Sequence, residues 1–185
     1  MTGGRPALVR AMIDIISERG FEGLSVRGVA ARAGVSVGAV QHHFPTKDAM
    51  LDAAMAAIAA AAGGRSSELE RVADPVEQLH ALVDLLIPAS ATSPVTRVWL
   101  AFAARAAVDE STRTNYVRLW ARVRDELQLL LAAAGGSPEL AAESSRELLA
   151  LLDGLALGIA AEQQHPDVAR RIAHRRVDEL IRTPN

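Results

Sequence analysis

The sequence predicts an all-α protein, and three observations carry that prediction. Apolar residues recur at three- and four-residue intervals along most of the chain. The prolines fall at the edges of those stretches rather than inside them. No stretch alternates polar and apolar residues between turn signals, as a half-buried strand does. The preponderance of alanine and leucine adds helix propensity to the pattern.

The helices follow in order. Pro6 suits a first helical position, and Val9, Met12, Ile13 and Ile16 continue at helical spacing until Gly20, a C′ glycine. Ser25 caps a second segment whose buried stripe is Val26, Val29, Ala30 and Ala33. Gly34 and Val35 make a turn, and Ser36 caps a third segment that Pro45 stops after Phe44. Thr46 caps a fourth helix running from residue 47 toward 62, with Gly63-Gly64 expected to end it. Five more are expected over 75–87, 94–108, 111–134, 138–162 and 166–181, about nine in all.

Composition narrows the function classes. Half the residues are hydrophobic and charges of both signs are interspersed, as in a folded globular chain of 185 residues. There is no cysteine, so disulfides, thiolate metal sites and cysteine nucleophiles are excluded. The longest uncharged apolar run, 53–62, is too short for a membrane span, and residues 1–6 lack the apolar core of a signal peptide. A cytoplasmic location and no membrane partner are therefore expected. The net charge of −2 divides unevenly. Residues 1–48 carry six Lys or Arg against four acids, and the remainder 14 against 18. A front this mildly basic must meet nucleic acid through focused geometry rather than a diffuse field.

The front geometry is that of a DNA reader. Two short helices joined by a glycine-containing turn form the skeleton of a helix-turn-helix, whose second helix enters the major groove. Val29, Ala30 and Ala33 with Val40 and Phe44 are expected to share a core with Ile13 and Phe21. Val37, Gly38, Gln41 and His42 then fall on the exposed arc. Gly38 and Ala39 allow close approach to a groove, while Gln41, His42 and His43 supply hydrogen-bonding groups for phosphates or base edges. Adjacent His42 and His43 cannot face one metal from a helix, so zinc is a poor reading. Lys47, the sequence's single lysine, stands where a fourth helix begins, either as a phosphate clamp or as a solvated charge.

These stretches resemble the Tet repressor (TetR) family signature: Leu24-Ser25-Val26-Arg27-Gly28-Val29-Ala30, Ala33-Gly34-Val35-Ser36-Val37-Gly38-Ala39-Val40, and His43-Phe44-Pro45-Thr46-Lys47-Asp48-Ala49-Met50-Leu51. The match covers about residues 6–51. It implies a helix-turn-helix domain over 1–46 and a ligand-binding and dimerisation domain over 47–185. By position, Arg27 would touch backbone at the groove edge, Ser36 would open the recognition helix, Val37, Gly38, Ala39 and His42 would face bases, and Gln41, His43 and Lys47 would hold phosphates. The family usually has tyrosine at the position of Gln41; glutamine can bond either a phosphate or an adenine edge. Residues 2–5 form an arm in which Arg5 has the reach for a minor groove, although a disordered tail is the simpler expectation.

Behind this motif the remaining aromatics lie close together. Trp99 and Phe102 are three apart and Tyr116 and Trp120 four apart, so each pair shares a helix face. They read as core packing or as the wall of a pocket suited to a cation. Asp153 interrupts an apolar helix and needs a partner: Arg97, Arg105, a hydroxyl, a second subunit or a ligand cation, with a structural ion pair favoured. The ligand-contact set is thus Trp99, Phe102, Arg105, Tyr116, Trp120 and Asp153. Gly154 and Gly158 offer a flat stripe. With Val168, Ile172, Ala173, Val177, Leu180 and Ile181, they suggest a homodimer through the last two helices. Val98-Trp99-Leu100-Ala101-Phe102 and Asp153-Gly154-Leu155-Ala156-Leu157 resemble the branch containing the choline-responsive betaine repressors.

The resulting expectation is a ligand-released repressor on double-stranded DNA, its two recognition helices roughly 34–36 Å apart on a near-palindromic site. It carries no catalytic residue, metal or cofactor. The alternatives are an enzyme using Asp153 with His80 or Asp84, and a protein-binding helical adaptor; salt-dependent binding to duplex DNA separates the adaptor.

Overall fold

The computed structural model describes residues 4–69 and 71–182, residues 65–69 by their backbone alone. Among the described residues the regular structure is helical throughout. It comprises α1 (Arg5–Arg19), a 3-10 turn (Phe21–Gly23), α2 (Val26–Ala33), α3 (Val37–His43), α4 (Lys47–Leu69), α5 (Pro75–Leu86), α6 (Pro94–Ala106), α7 (Glu110–Ala133), α8 (Ala141–Ala160) and α9 (Pro166–Arg182). Thr2 and Gly3 of the N-terminal arm lie outside the described residues, while Arg5 begins α1 with its guanidinium 5.4 Å from the Phe44 ring centroid. No described helix is long and apolar enough to cross a membrane.

Packing divides the chain into two compact units. One holds the chain up to Ala61 with Thr92–Val117; the other holds Ala62–Ala91 with the chain from Arg118 onward. In the first, α1 packs on α2 and α6, and α2 on α3. Leu8, Met12, Ile16, Leu24, Val29, Val40 and Phe44 are buried there. Ile13, Phe21 and Ala33, expected in this core, are only half-buried; Met12, Ile16 and Leu24 take their place on the inward face. In the second unit, Leu79 and Val83 of α5, Leu127 and Leu131 of α7, Leu148 and Leu152 of α8, and Ala173 and Val177 of α9 form a continuous core. Each fully buried leucine contributes about 1.5–3 kcal/mol.

Three sequence expectations are corrected. The fourth helix does not end at Gly63-Gly64 but continues to Leu69. Neither glycine adopts the positive φ of a C′ turn, so both are accommodated as helical residues despite their propensity cost of about 1 kcal/mol each. The eighth helix starts at Ala141 rather than at Pro138, because Leu140 N–H bonds Ser137 O at 3.1 Å and closes a turn that absorbs the proline. Third, the apolar face of the last helix is not free: Ala173, Val177 and Leu180 are in the core of their own unit, with Ile172 and Ile181 packed beside them.

One helix end yields a stability prediction. Glu162 follows α8 with φ of 55°, and Gln163 N–H returns to Gly158 O at 2.9 Å, a Schellman closure with a non-glycine residue at C′. Glu162→Gly removes the left-handed penalty but loosens the unfolded chain, so a net gain of about 0.5–1 kcal/mol is expected. A urea midpoint lower than the parent's would refute it.

Candidate nucleic-acid interface and effector site

The helix-turn-helix is built by local chemistry. Ser25 Oγ accepts from Gly28 N–H at 3.1 Å to start α2, Gly34 ends it at φ of 67°, and Ser36 Oγ accepts from Ala39 N–H at 3.2 Å to start α3. Each such cap contributes about 1 kcal/mol. Val40 and Phe44 anchor α3 inward at 0% and 2% exposure. Ser36, Val37, Gly38, Gln41, His42 and His43 are exposed and Ala39 is half-buried, so one side of the short helix is presented to solvent. At Gly38 an added Cβ would meet only Ser36 Oγ, at 3.9 Å, so the backbone is bare on that side. His42 and His43 stack edge to face with centroids 5.2 Å apart. Arg27 is exposed at the start of α2.

Lys47 has partners within its own chain that its sequence position does not suggest. Its Nζ lies 4.3 Å from the Phe21 centroid and donates to Glu22 O at 3.3 Å and Glu22 Oε2 at 3.5 Å. The next residue, Asp48, accepts from Arg105 Nε at 2.8 Å and Nη2 at 3.1 Å, and Arg105 Nη2 also donates to Asp109 at 3.3 Å. One turn on, Asp52 accepts from Asn115 Nδ2 at 2.9 Å. Burial raises the Asp52 carboxyl, the Asn115 bond opposes this, and neighbouring Asp48 and Asp109 add to the rise. These polar links join α4 to the end of α6 and the start of α7. Sequence reasoning named Arg105 for the effector and missed this network; the signal was the Lys47-Asp48 pair at a helix start.

The expected effector residues divide between the units. In the first, Phe102 is buried and its ring lies 5.8 Å from that of Tyr116, so one ring from each sequence pair meets its counterpart; Trp99 on α6 is half-buried. In the second, Trp120 Nε1 donates to Asp153 Oδ2 at 3.2 Å. The ion pair expected for Asp153 is replaced by this indole bond, and Arg97 donates instead to Ser17 O at 2.7 Å. Burial pushes the Asp153 carboxyl up to about 6, against the lowering effect of the indole N–H. Two open cavities in this unit, of about 310 and 540 Å³, lie beside Arg176 and at the α8–α9 turn; Trp120 and Asp153 line neither. His80 and Asp84 are engaged with Asp178 at 3.1 Å and His174 at 2.9 Å.

The dimer stripe is also revised. A Cβ at Gly158 would fall 2.7 Å from Gln164 Nε2, so that glycine seats its own chain's glutamine, whereas Gly154 is open. Gly154, Ala150 and Leu157 remain exposed at helical spacing on α8, and Val168 on α9.

Family models match two stretches of the chain. Residues 8–54 match the model for bacterial regulatory proteins of the tetR family, and residues 75–182 the C-terminal model of BetI-type transcriptional repressors. The chain belongs to the TetR family. This TetR-family protein is accordingly a DNA-binding transcriptional regulator and not an enzyme. It is 31% identical to the HTH-type transcriptional regulator BetI of Paraburkholderia xenovorans, over 96% of this chain and 93% of the relative. The corresponding regulator of Stenotrophomonas maltophilia is 33% identical, over 94% and 91%. A transcriptional regulator of Rhodococcus superposes with a TM-score of 0.86 at 35% identity, covering both chains completely. A Saccharomonospora viridis regulator solved in complex with choline has the same fold, with a TM-score of 0.87 at 22% identity over 96% of this chain and 97% of that one.

Proposed function

We propose that this TetR-family regulator acts in the cytoplasm as a homodimeric repressor that leaves a near-palindromic operator when a small cation binds its second unit. The observation that carries the reading is the exposed side of α3. Val37, Gly38, Gln41 and His42 stand clear of the core that Val40 and Phe44 fill, and the bare Gly38 backbone allows close approach to base edges. Arg27, His43 and Lys47 flank that side as phosphate contacts, with Ser36 and Ala39 fixing the start of the helix. By role, residues 1–46 with Lys47 read DNA and the rest of 47–185 binds ligand and partner, although the start of α4, α6 and the start of α7 pack with the first unit. The exposed Ala150, Gly154, Leu157 and Val168 support a subunit interface on α8 and α9.

The effector class follows from Asp153. A half-buried carboxylate whose hydrogen-bond donor is a neutral indole favours a cation, and an indole face adds cation–π attraction. Choline, present in the Saccharomonospora fold neighbour, is a suitable first probe.

Selection from randomised duplex DNA tests the regulator reading, comparing the parent with the Lys47→Ala, His42→Ala double variant. Enrichment of a two-fold-symmetric sequence that the folded variant loses is expected. Equal enrichment by both would sink the assignment of α3, and a motif without symmetry would sink the dimeric operator.

A further inference from the structure

We propose that Arg105 is a positioning residue for operator binding, acting through Asp48 to hold the first turn of α4, rather than a contact to the effector. The inference rests on the regulator reading and deepens it. Four segments of the first unit converge on this guanidinium. It sits at the end of α6, chelates the Asp48 carboxylate of α4 through two nitrogens, and donates to Asp109, the residue just before α7. Its Cζ also lies 5.9 Å from the Phe21 centroid in the 3-10 turn.

Asp109 is itself pinned, because its Oδ2 accepts from Thr112 N–H at 2.8 Å, and that bond foremost holds its carboxyl below the usual range. The Arg105 side chain therefore has one fixed anchor on α7 and one load on α4. That load adjoins Lys47, whose ammonium lies over the same Phe21 ring and bonds Glu22. Phe21 is thus the shared surface of two half-exposed cations, one holding Asp48 and one proposed for phosphate.

The geometry of the pair is what a positioning role requires. Two parallel N–H···O bonds fix both distance and direction between α6 and α4, which a single point contact does not. Lysine at 105 could supply the charge but not the fork. Without the fork, the first turn of α4, ahead of the buried Met50 and Leu51, is held by its Thr46 cap, where Ala49 N–H bonds Thr46 Oγ1 at 3.0 Å, and by the exposed Lys47–Glu22 contact. Glu22 is 93% exposed on its side chain, so that contact is a weak tether. Lys47 would then sample positions that do not match a phosphate, and the operator would be bound by a smaller fraction of molecules.

The test uses Arg105→Ala, Asp48→Ala, the double variant, Arg105→Lys and Arg113→Ala as control. Arg113 donates to Ala106 O at 3.1 Å and Ala107 O at 3.2 Å, so its replacement removes an arginine from the same corner without touching a bond to α4. Fluorescence anisotropy on the duplex enriched by the parent protein reads operator affinity, and calorimetry with choline reads the effector site. Arg105→Ala and Asp48→Ala are each expected to weaken operator binding about tenfold, the double variant no more than either, because the two residues form one coupled unit. Arg105→Lys should recover less than half of that loss on a logarithmic scale, and Arg113→Ala should match the parent. Choline affinity should stay within about twofold throughout. Additive losses, or an unchanged operator affinity in Arg105→Ala, overturn the proposal. Loss of choline binding with operator binding retained would also overturn it and return Arg105 to the effector site. Hydrogen exchange decides the point without DNA. The Ala49 and Met50 amides should exchange at least about tenfold faster in folded Arg105→Ala, while those of α2 hold. Unchanged exchange overturns the clamp. A parent that enriches no duplex would sink the regulator reading alone, leaving exchange to decide the clamp.

Discussion

Gly38→Glu is expected to abolish operator binding while leaving the protein folded. The side chain has room, since a Cβ there meets only Ser36 Oγ at 3.9 Å. Replacing glycine in a helix gains about 0.5–1 kcal/mol of propensity, and a carboxylate in the first turn of α3 also suits the helix dipole. The thermal midpoint should therefore hold or rise slightly. Against DNA the same carboxylate would sit on the proposed groove-facing side, filling the space a base edge needs and repelling phosphates. A loss of about 100-fold or more is expected, with the residual binding showing a shallower salt dependence. The measurement is anisotropy on the selected duplex at several salt concentrations, beside a melting curve. Retained affinity in a folded variant would show that DNA meets some other surface. Stability and affinity are expected to move in opposite directions, which separates recognition from folding in one substitution.

How much of this was legible in the chain depends on the range of the forces involved. Caps are local, so Ser25, Ser36 and Thr46 could be placed from the residues that follow them, and all three side chains accept the expected backbone bonds. The buried anchors Val40 and Phe44 were legible for the same reason, because helical spacing alone separates them from Gln41 and His42. Gly63-Gly64 misled because a glycine pair signals an end only when one of them turns to positive φ, and the alanine-rich neighbours here sustain the helix instead. Partnerships across distance in sequence were the blind spot. Asp48 and Arg105 are 57 residues apart, and Trp120 and Asp153 are 33 apart. Nothing in either local pattern says which arginine meets which carboxylate. Gly158 shows the same limit: its stripe with Gly154 reads as continuous in the sequence, yet Gln164, from beyond the helix, occupies half of it.

Asp153→Asn is expected to stabilise the unliganded protein and to remove its response to a cation. The carboxyl is pushed up to about 6 from an ordinary 3.8, foremost by burial. The sign follows from linkage. Below pH about 4 the group is protonated in both states and costs nothing. Between about 4 and 6 the unfolded chain ionises while the folded one retains its proton, so stability falls as pH rises through that window and stays lowered above it. The full shift corresponds to about 3 kcal/mol, and partial access to solvent reduces the realised penalty to about 1–2 kcal/mol. Asparagine lacks the charge, yet its carbonyl oxygen can still accept from Trp120 Nε1. The melting temperature at pH 7.5 should therefore rise by about 3–6 °C at fixed protein concentration, and the fall in stability between pH 4 and 6 should flatten. Choline at 100 times its dissociation constant should stabilise the parent by about 2.7 kcal/mol and the variant hardly at all. A variant that melts lower than the parent would mean that Asp153 already serves a cationic partner, for instance across the subunit interface, and the effector reading would fall. If the expected pattern holds, the protein keeps a costly buried charge because a ligand repays it, and the pH window around 6 should recur as the lower limit of choline response.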